Sequence, residues 1–358
     1  MVEWLAGNRI IGTTAERPAL GLPSGSVGGW VELARTTLGS AGDTIDVTSL
    51  PDKRYYMVLG STTNGSGGST QQSLRFNGDG GSNQYGRRYS ADGGGDTNNM
   101  STRISTGSAT AANSNAFTVG YVANKSDKEK LAISHGTDSN GSGAGTASSR
   151  MKAVGKWINA TDSINSISIF NPTSGDFQSG SECVVLGWDP ADTHTTNFWE
   201  ELASESQSSS GEMTVSFTAK KYICIQYECT SLNPTATGLS VRFNSDNTSK
   251  YCRRFSQDGA SDISNQVNQT KLSLIHSGGS HFFGNMFIIN NASNEKLVIV
   301  HQAAKTTASG GASEVPRRWE IVGKWTNTSD QISSLTFIDT EQGSSGISKG
   351  TIKVWGSD

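Results

Sequence analysis

The sequence predicts an all-β protein of two tandem jelly-roll-like β-sandwich domains, made by internal duplication and preceded by an extended N-terminal arm. Three observations predict it. Apolar residues fall in short, half-alternating runs separated by Gly, Ser, Asn and Asp clusters, the pattern of short strands joined by polar loops. Glycine outnumbers proline 42 to 7, only 17% of residues are charged, and little of the chain has a helical period. Finally, the stretch Gly155-Lys156-Trp157-Ile158-Asn159-Ala160-Thr161-Asp162 returns as Gly323-Lys324-Trp325-Thr326-Asn327-Thr328-Ser329-Asp330. A repeat of that length sets a register for the whole chain.

Residues 1–29 have no counterpart in the second half. Their stretch Asn8-Arg9-Ile10-Ile11 through Arg17-Pro18 lacks apolar periodicity. They are expected to form an arm that docks to a larger assembly or a neighbouring subunit. The first domain is expected over 30–190 and the second over 191–358. Trp30-Val31-Glu32-Leu33-Ala34 opens the first, and Trp199-Glu200-Glu201-Leu202-Ala203 opens the second. Tyr55–Leu59 then matches Tyr222–Gln226, Leu74-Arg75-Phe76-Asn77-Gly78-Asp79 matches Val241-Arg242-Phe243-Asn244-Ser245-Asp246, and Arg87-Arg88-Tyr89 matches Arg253-Arg254-Phe255. Glu129-Lys130-Leu131 matches Glu295-Lys296-Leu297, and Cys183–Gly187 matches Ile352–Gly356 as the closing strand. β-branched and aromatic residues dominate these runs, so they read as strands. About eight to ten strands per unit suit a jelly roll. Long polar loops are expected at Gly60–Ser73, Ala91–Ala116 and Gly136–Ser149.

A net charge of −3 gives no basic footprint for nucleic acid, and no apolar run reaches the roughly 20 residues of a membrane helix. The N-terminus lacks a signal-peptide pattern, so synthesis in the cytoplasm is expected. Of the four cysteines, Cys183 aligns with Ile352 and Cys224 with Met57, so both are expected to be small core hydrophobes rather than disulfide partners. No cofactor is expected.

Candidate site residues come from the matched positions. Asn77 with Asp79, and Asn244 with Asp246, could supply oxygen ligands to Ca²⁺. The same residues are what a left-handed turn demands, and this second use is preferred, with no metal expected. Of the pairs Arg87-Arg88 and Arg253-Arg254, one arginine each must face the sandwich or a subunit contact, because neighbours on a strand point to opposite sides. Its expected partner is a carboxylate or carbonyl, and the other use is recognition of an acidic or sugar ligand. Trp157 and Trp325 are expected in the core or at its rim, with sugar stacking as the alternative. His135 and His301 are equivalent and are expected at strand ends. No catalytic motif accompanies them.

The motif Gly-Lys-Trp-x-Asn-x-(Thr/Ser)-Asp, followed by the turn Phe177-x-Ser179-Gly180-Ser181 and a short last strand, resembles virion surface proteins of tailed viruses. The leader Gly7-Asn8-Arg9-Ile10-Ile11-Gly12 is similar to the start of marine-phage proteins. The second copy has Gly343-Ser344-Ser345-Gly346 where the first has Phe177. The resemblance implies a non-enzymatic β-sandwich, often trimeric, on a tail fibre or capsid. It implies other virion proteins as partners of the arm and a host surface glycan as a partner of the loops. A free-standing carbohydrate-binding module is the alternative, and a glycan-cleaving enzyme is weakest because no carboxylate pair stands out.

Overall fold

The computed structural model describes residues 29–65, 67–107, 112–190, 192, 196–209, 211–232, 238–274, 281–305, 315–339 and 347–358. The arm, with its expected docking residues Asn8, Arg9, Ile10, Ile11 and Arg17, lies outside the described residues, as do His194 and His276. Every regular element among the described residues is a strand. The first half forms β1 (Val31–Thr37), β2 (Thr44–Val47), β3 (Tyr55–Thr63), β4 (Ser73–Phe76), β5 (Tyr85–Ala91), β6 (Thr97–Ser101), β7 (Ile104–Ser105), β8 (Asn115–Ala123), β9 (Lys130–Asp138), β10 (Ser149–Trp157), β11 (Ile167–Phe170) and β12 (Glu182–Trp188). The second half repeats the series as β13 (Glu200–Gln207), β14 (Met213–Ser216), β15 (Tyr222–Leu232), β16 (Leu239–Phe243), β17 (Tyr251–Gln257), β18 (Ile263–Gln269), β19 (Leu272–Ser273), β20 (His281–Ile289), β21 (Lys296–Lys305), β22 (Arg317–Trp325), β23 (Ser334–Asp339) and β24 (Ile347–Ser357).

Each half builds an eight-stranded and a four-stranded sheet, in the orders β1-β12-β3-β8-β9-β10-β5-β6 and β2-β11-β4-β7 for the first. The second half has the same orders, with each strand replaced by its repeat. The quartets β1-β12-β3-β8 and β2-β11-β4-β7 are the two facing sheets of a jelly roll, with consecutive strands switching sheet. Two extra pairs, β5–β6 and β9–β10, widen the larger sheet alone. By chain contacts, one unit comprises Met1–Gly141 and Ser149–Glu200 and the other comprises Ser142–Ser148 and Glu201–Asp358.

Alternation explains the core. In the first unit Ile45, Val47, Leu74, Phe76, Ile167 and Ile169 point from the small sheet onto Tyr56, Val58, Tyr85 and Trp157 of the large one, and all are buried. Each such side chain contributes roughly 1.5–3 kcal/mol of burial. The four cysteines are buried free thiols. Burial pushes Cys224 and Cys229 up to about 12 and Cys252 to about 11, so none is a poised thiolate.

Three expectations are corrected. Among the described residues each unit has twelve strands, with β6 and β7 inside the expected loop Ala91–Ala116. The other two loops are shorter than expected, since β3 runs to Thr63 and β9 to Asp138. His135 and His301 lie within β9 and β21 rather than at their ends, opposite Lys152 and Glu320.

Candidate functional site

The repeated octapeptide places its first three residues on two opposite faces of the sheet. Gly155 and Trp157 face the core and Lys156 faces outward. The two-residue strand β7 lies against β10 and β5. A Cβ on Gly155 would meet the Ile104 side chain at 2.6 Å, and one on Gly323 would meet Leu272 Cδ1 at 2.5 Å and the Cys252 carbonyl oxygen at 2.9 Å. Glycine is required there by the close approach of β7 and β19.

Trp157 Nε1 donates to Asp79 Oδ2 at 2.8 Å, and Trp325 Nε1 donates to Asp246 Oδ2 at 2.9 Å. Opposite each tryptophan on the next strand stands a lysine with no exposed surface, Lys130 or Lys296. Its Nζ lies 5.6 Å (Lys130) or 5.7 Å (Lys296) from the indole centroid and donates to the carbonyl of Asn159 or Asn327, at 2.8 Å in both units. A buried cation is tolerable here because carbonyls and a ring face replace water. Burial pulls both lysines down, Lys296 to about 8. The end of the motif is a closed turn, with Asn159 Oδ1 accepting from the Thr161 and Asp162 amides and Asn327 Oδ1 from those of Ser329 and Asp330.

Asn77 and Asn244 are turn residues at φ 53° and 50°. Their side-chain oxygens accept two backbone N–H groups each, from Asn165 and Ser166 or from Ser333 and Ser334, tying β4 to the entry of β11 and β16 to that of β23. Asp79 holds the Gly81 amide with its second oxygen, and Asp246 holds the Thr248 amide. Burial pushes the Asp246 carboxyl up, but hydrogen bonds from Thr248 and Trp325 and the charge of Lys250 outweigh it, leaving Asp246 below the usual range. These four residues thus serve a turn and an indole.

The arginine pairs divide as alternation requires. Arg88 is exposed and Arg254 is half-buried, while Arg87 and Arg253 turn toward the sandwich edge. Arg87 Nε donates to Asn99 Oδ1 at 2.7 Å and its Nη1 reaches Ser105 Oγ, with the guanidinium 5.1 Å from the Tyr89 ring centroid. Arg253, 2% exposed, donates from Nη1 to the Ser273 carbonyl and lies 4.2 Å from the Phe255 ring centroid. The inward partners are a side-chain amide oxygen, a hydroxyl, a backbone carbonyl and aromatic rings, so the carbonyl of the two expected partners is present and the carboxylate is not. Burial lowers Arg253 to about 9.

The outward side of the large sheet differs between units. Ile133 stands between Tyr121 and Val154 across β8, β9 and β10. Leu131, Ile133 and Val154 are 58%, 53% and 49% exposed. Their counterparts Leu297, Ile299 and Val322 are 0%, 2% and 2% exposed. Within the second unit, Ser142–Ser148 is held on the outward side of β17, where Cys252 Sγ donates to the Thr146 carbonyl at 3.1 Å and Arg254 Nε to the Ser148 carbonyl at 2.9 Å. The pair Glu295–Lys324 is correspondingly buried, whereas Glu129–Lys156 is half-exposed.

Sequence reasoning left out Lys130 and Lys296, the exposed row Leu131, Ile133 and Val154, and the arginines Arg75 and Arg103. The lysines were legible only as matched positions, since nothing local marks a lysine as buried.

No protein-family model matches the chain and no curated protein matches it. Domains LG4-5 of the mouse laminin alpha1 chain are 7% identical over 90% of this chain and 89% of theirs, with a TM-score of 0.18. The NanC porin is 9% identical over 75% of this chain and 98% of its own, with a TM-score of 0.13. The translocator domain of the autotransporter NalP from Neisseria meningitidis is 11% identical over 76% of this chain and 88% of its own, also at 0.13. Likenesses this weak carry no argument about fold or function. The duplicated jelly roll rests on this chain's own sheets.

Proposed function

We propose that the chain is a non-enzymatic structural protein of a virus particle surface, a tail-fibre or capsid-decoration component. It assembles with copies of itself, docks by its arm and presents the polar loops of its two jelly rolls. The observation that carries the self-assembly is the apolar row Leu131, Ile133 and Val154, open in the first unit while the same positions are buried in the second. A row of three large apolar side chains at the centre of an outward sheet face marks a contact surface. A fold alone does not assign a role. The virion setting and a trimer come from the resemblance of the Gly-Lys-Trp motif and the leader. The alternative, a carbohydrate-binding module, cannot use Trp157 or Trp325 as a sugar platform, because both are 1% exposed. Light scattering on a sizing column tests the proposal. A mass of three times 37.8 kDa is expected, and a monomer at every concentration would contradict it.

A further inference from the structure

We propose that the first unit carries an oxyanion-binding site formed by Arg75, Arg87 and Arg103 at the open edge of its small sheet. Arg75 leaves the outward side of β4, Arg103 immediately precedes β7, and Arg87 reaches from the overhanging β5 to Ser105 on β7. Arg75 lies 3.8 Å from the centroid of the Phe170 ring and donates from Nε to the Thr102 carbonyl at 3.2 Å. Arg103 Nε is buried and has no hydrogen-bond partner. Among the described residues none of the three forms an ion pair. The nearby carboxylate of Asp79 is already held by Trp157 and Gly81.

Three guanidinium groups with no ion-pair partner are electrostatically costly, and burial together with the charges of Arg87 and Arg75 lowers Arg103. A sulfate, phosphate or carboxylate group is the ligand that such planar donors match, through paired charged hydrogen bonds. The second unit repeats the three positions as Arg242, Arg253 and Lys271. There the Nε atoms of Arg242 and of the 2% exposed Arg253 are also buried without partners. In that unit the central arginine is closed over by Phe255, whereas Arg75, Arg87 and Arg103 remain half-exposed, so the accessible site belongs to the first unit.

The test is isothermal titration of the intact chain with sodium sulfate, sodium phosphate and sodium glucuronate at constant ionic strength, with chloride as the reference. At least one of the three should bind above chloride, and the ranking separates sulfate, phosphate and sugar-carboxylate sources. Arg103→Gln and, independently, Arg75→Gln should each weaken that binding about tenfold or more. Binding unchanged in both variants, or no binding of any of the three anions to the unmodified chain, would overturn the proposal. Arg88→Gln, on the opposite side of β5, should bind like the unmodified chain, and an equal loss there would also overturn it.

Discussion

Trp157 Nε1 and the carboxylate of Asp79 meet at 2.8 Å although 78 residues separate them, and Trp325 and Asp246 repeat the contact at 2.9 Å across 79. The bond joins the end of β10 to the turn after β4, so it links the two sheets at one corner of each sandwich. Trp325→Phe keeps an aromatic ring in the core but removes the pyrrole half of the indole, and with it the donor to Asp246 Oδ2. A loss of about 1–3 kcal/mol in urea unfolding is expected. An unchanged midpoint would show that the contact contributes nothing.

The glycine of the motif predicts a steric effect. Gly323→Ala places a methyl group 2.9 Å from the rigid Cys252 carbonyl, and overpacking of this kind costs about 1–3 kcal/mol. Gly39→Ala, with nothing within 4 Å of the new methyl, should leave the thermal midpoint unchanged. Equal behaviour of the two variants would remove the close-approach explanation.

Lys296 predicts a pH dependence. Its folded value of about 8 lies below the usual lysine value near 10.4. Between these values the unfolded chain holds a proton that the folded chain has released, so this group makes stability rise as pH rises from about 8 to about 10. The penalty is fully present below pH 8. Urea midpoints at pH 7 and 9.5 should therefore show the unmodified chain gaining on Lys296→Met at the higher pH. A gap between the two proteins that does not change with pH would contradict the assignment.

Much of the framework was legible in the sequence because the chain states it twice. The alignment of Cys183 with Ile352 is the register of the strands, since Cys183 lies opposite Gly60 and Ile352 opposite Tyr227, its repeat. Where one copy has Gly60 beside Thr118, the other has Tyr227 beside Gly284, and a Cβ on Gly284 would strike the Tyr227 ring at 2.3 Å. Such exchanges preserve core volume while hiding identity.

What the sequence left unread has physical causes. Residues 97–101 form an edge strand with no buried side, so Thr97-Asn98-Asn99-Met100-Ser101 shows no alternation. The strand β7 is two residues long, too short for any period. The convergence of Arg75, Arg87 and Arg103 depends on the small sheet's edge meeting the overhang of the large one, a relation between distant segments. The different exposure of Ile133 and Ile299 is likewise invisible, because both positions are isoleucine.

The outward face of the first unit is the centre of the account, and one experiment addresses it directly. The mass of Ile133→Asp/Val154→Asp should be measured by light scattering beside the unmodified chain, with urea midpoints for both. The account predicts three times 37.8 kDa for the unmodified chain and 37.8 kDa for the variant. The variant should also unfold no earlier than a monomeric unmodified chain, since both side chains are about half exposed. A variant that keeps the unmodified mass would contradict the claim that this face joins the subunits.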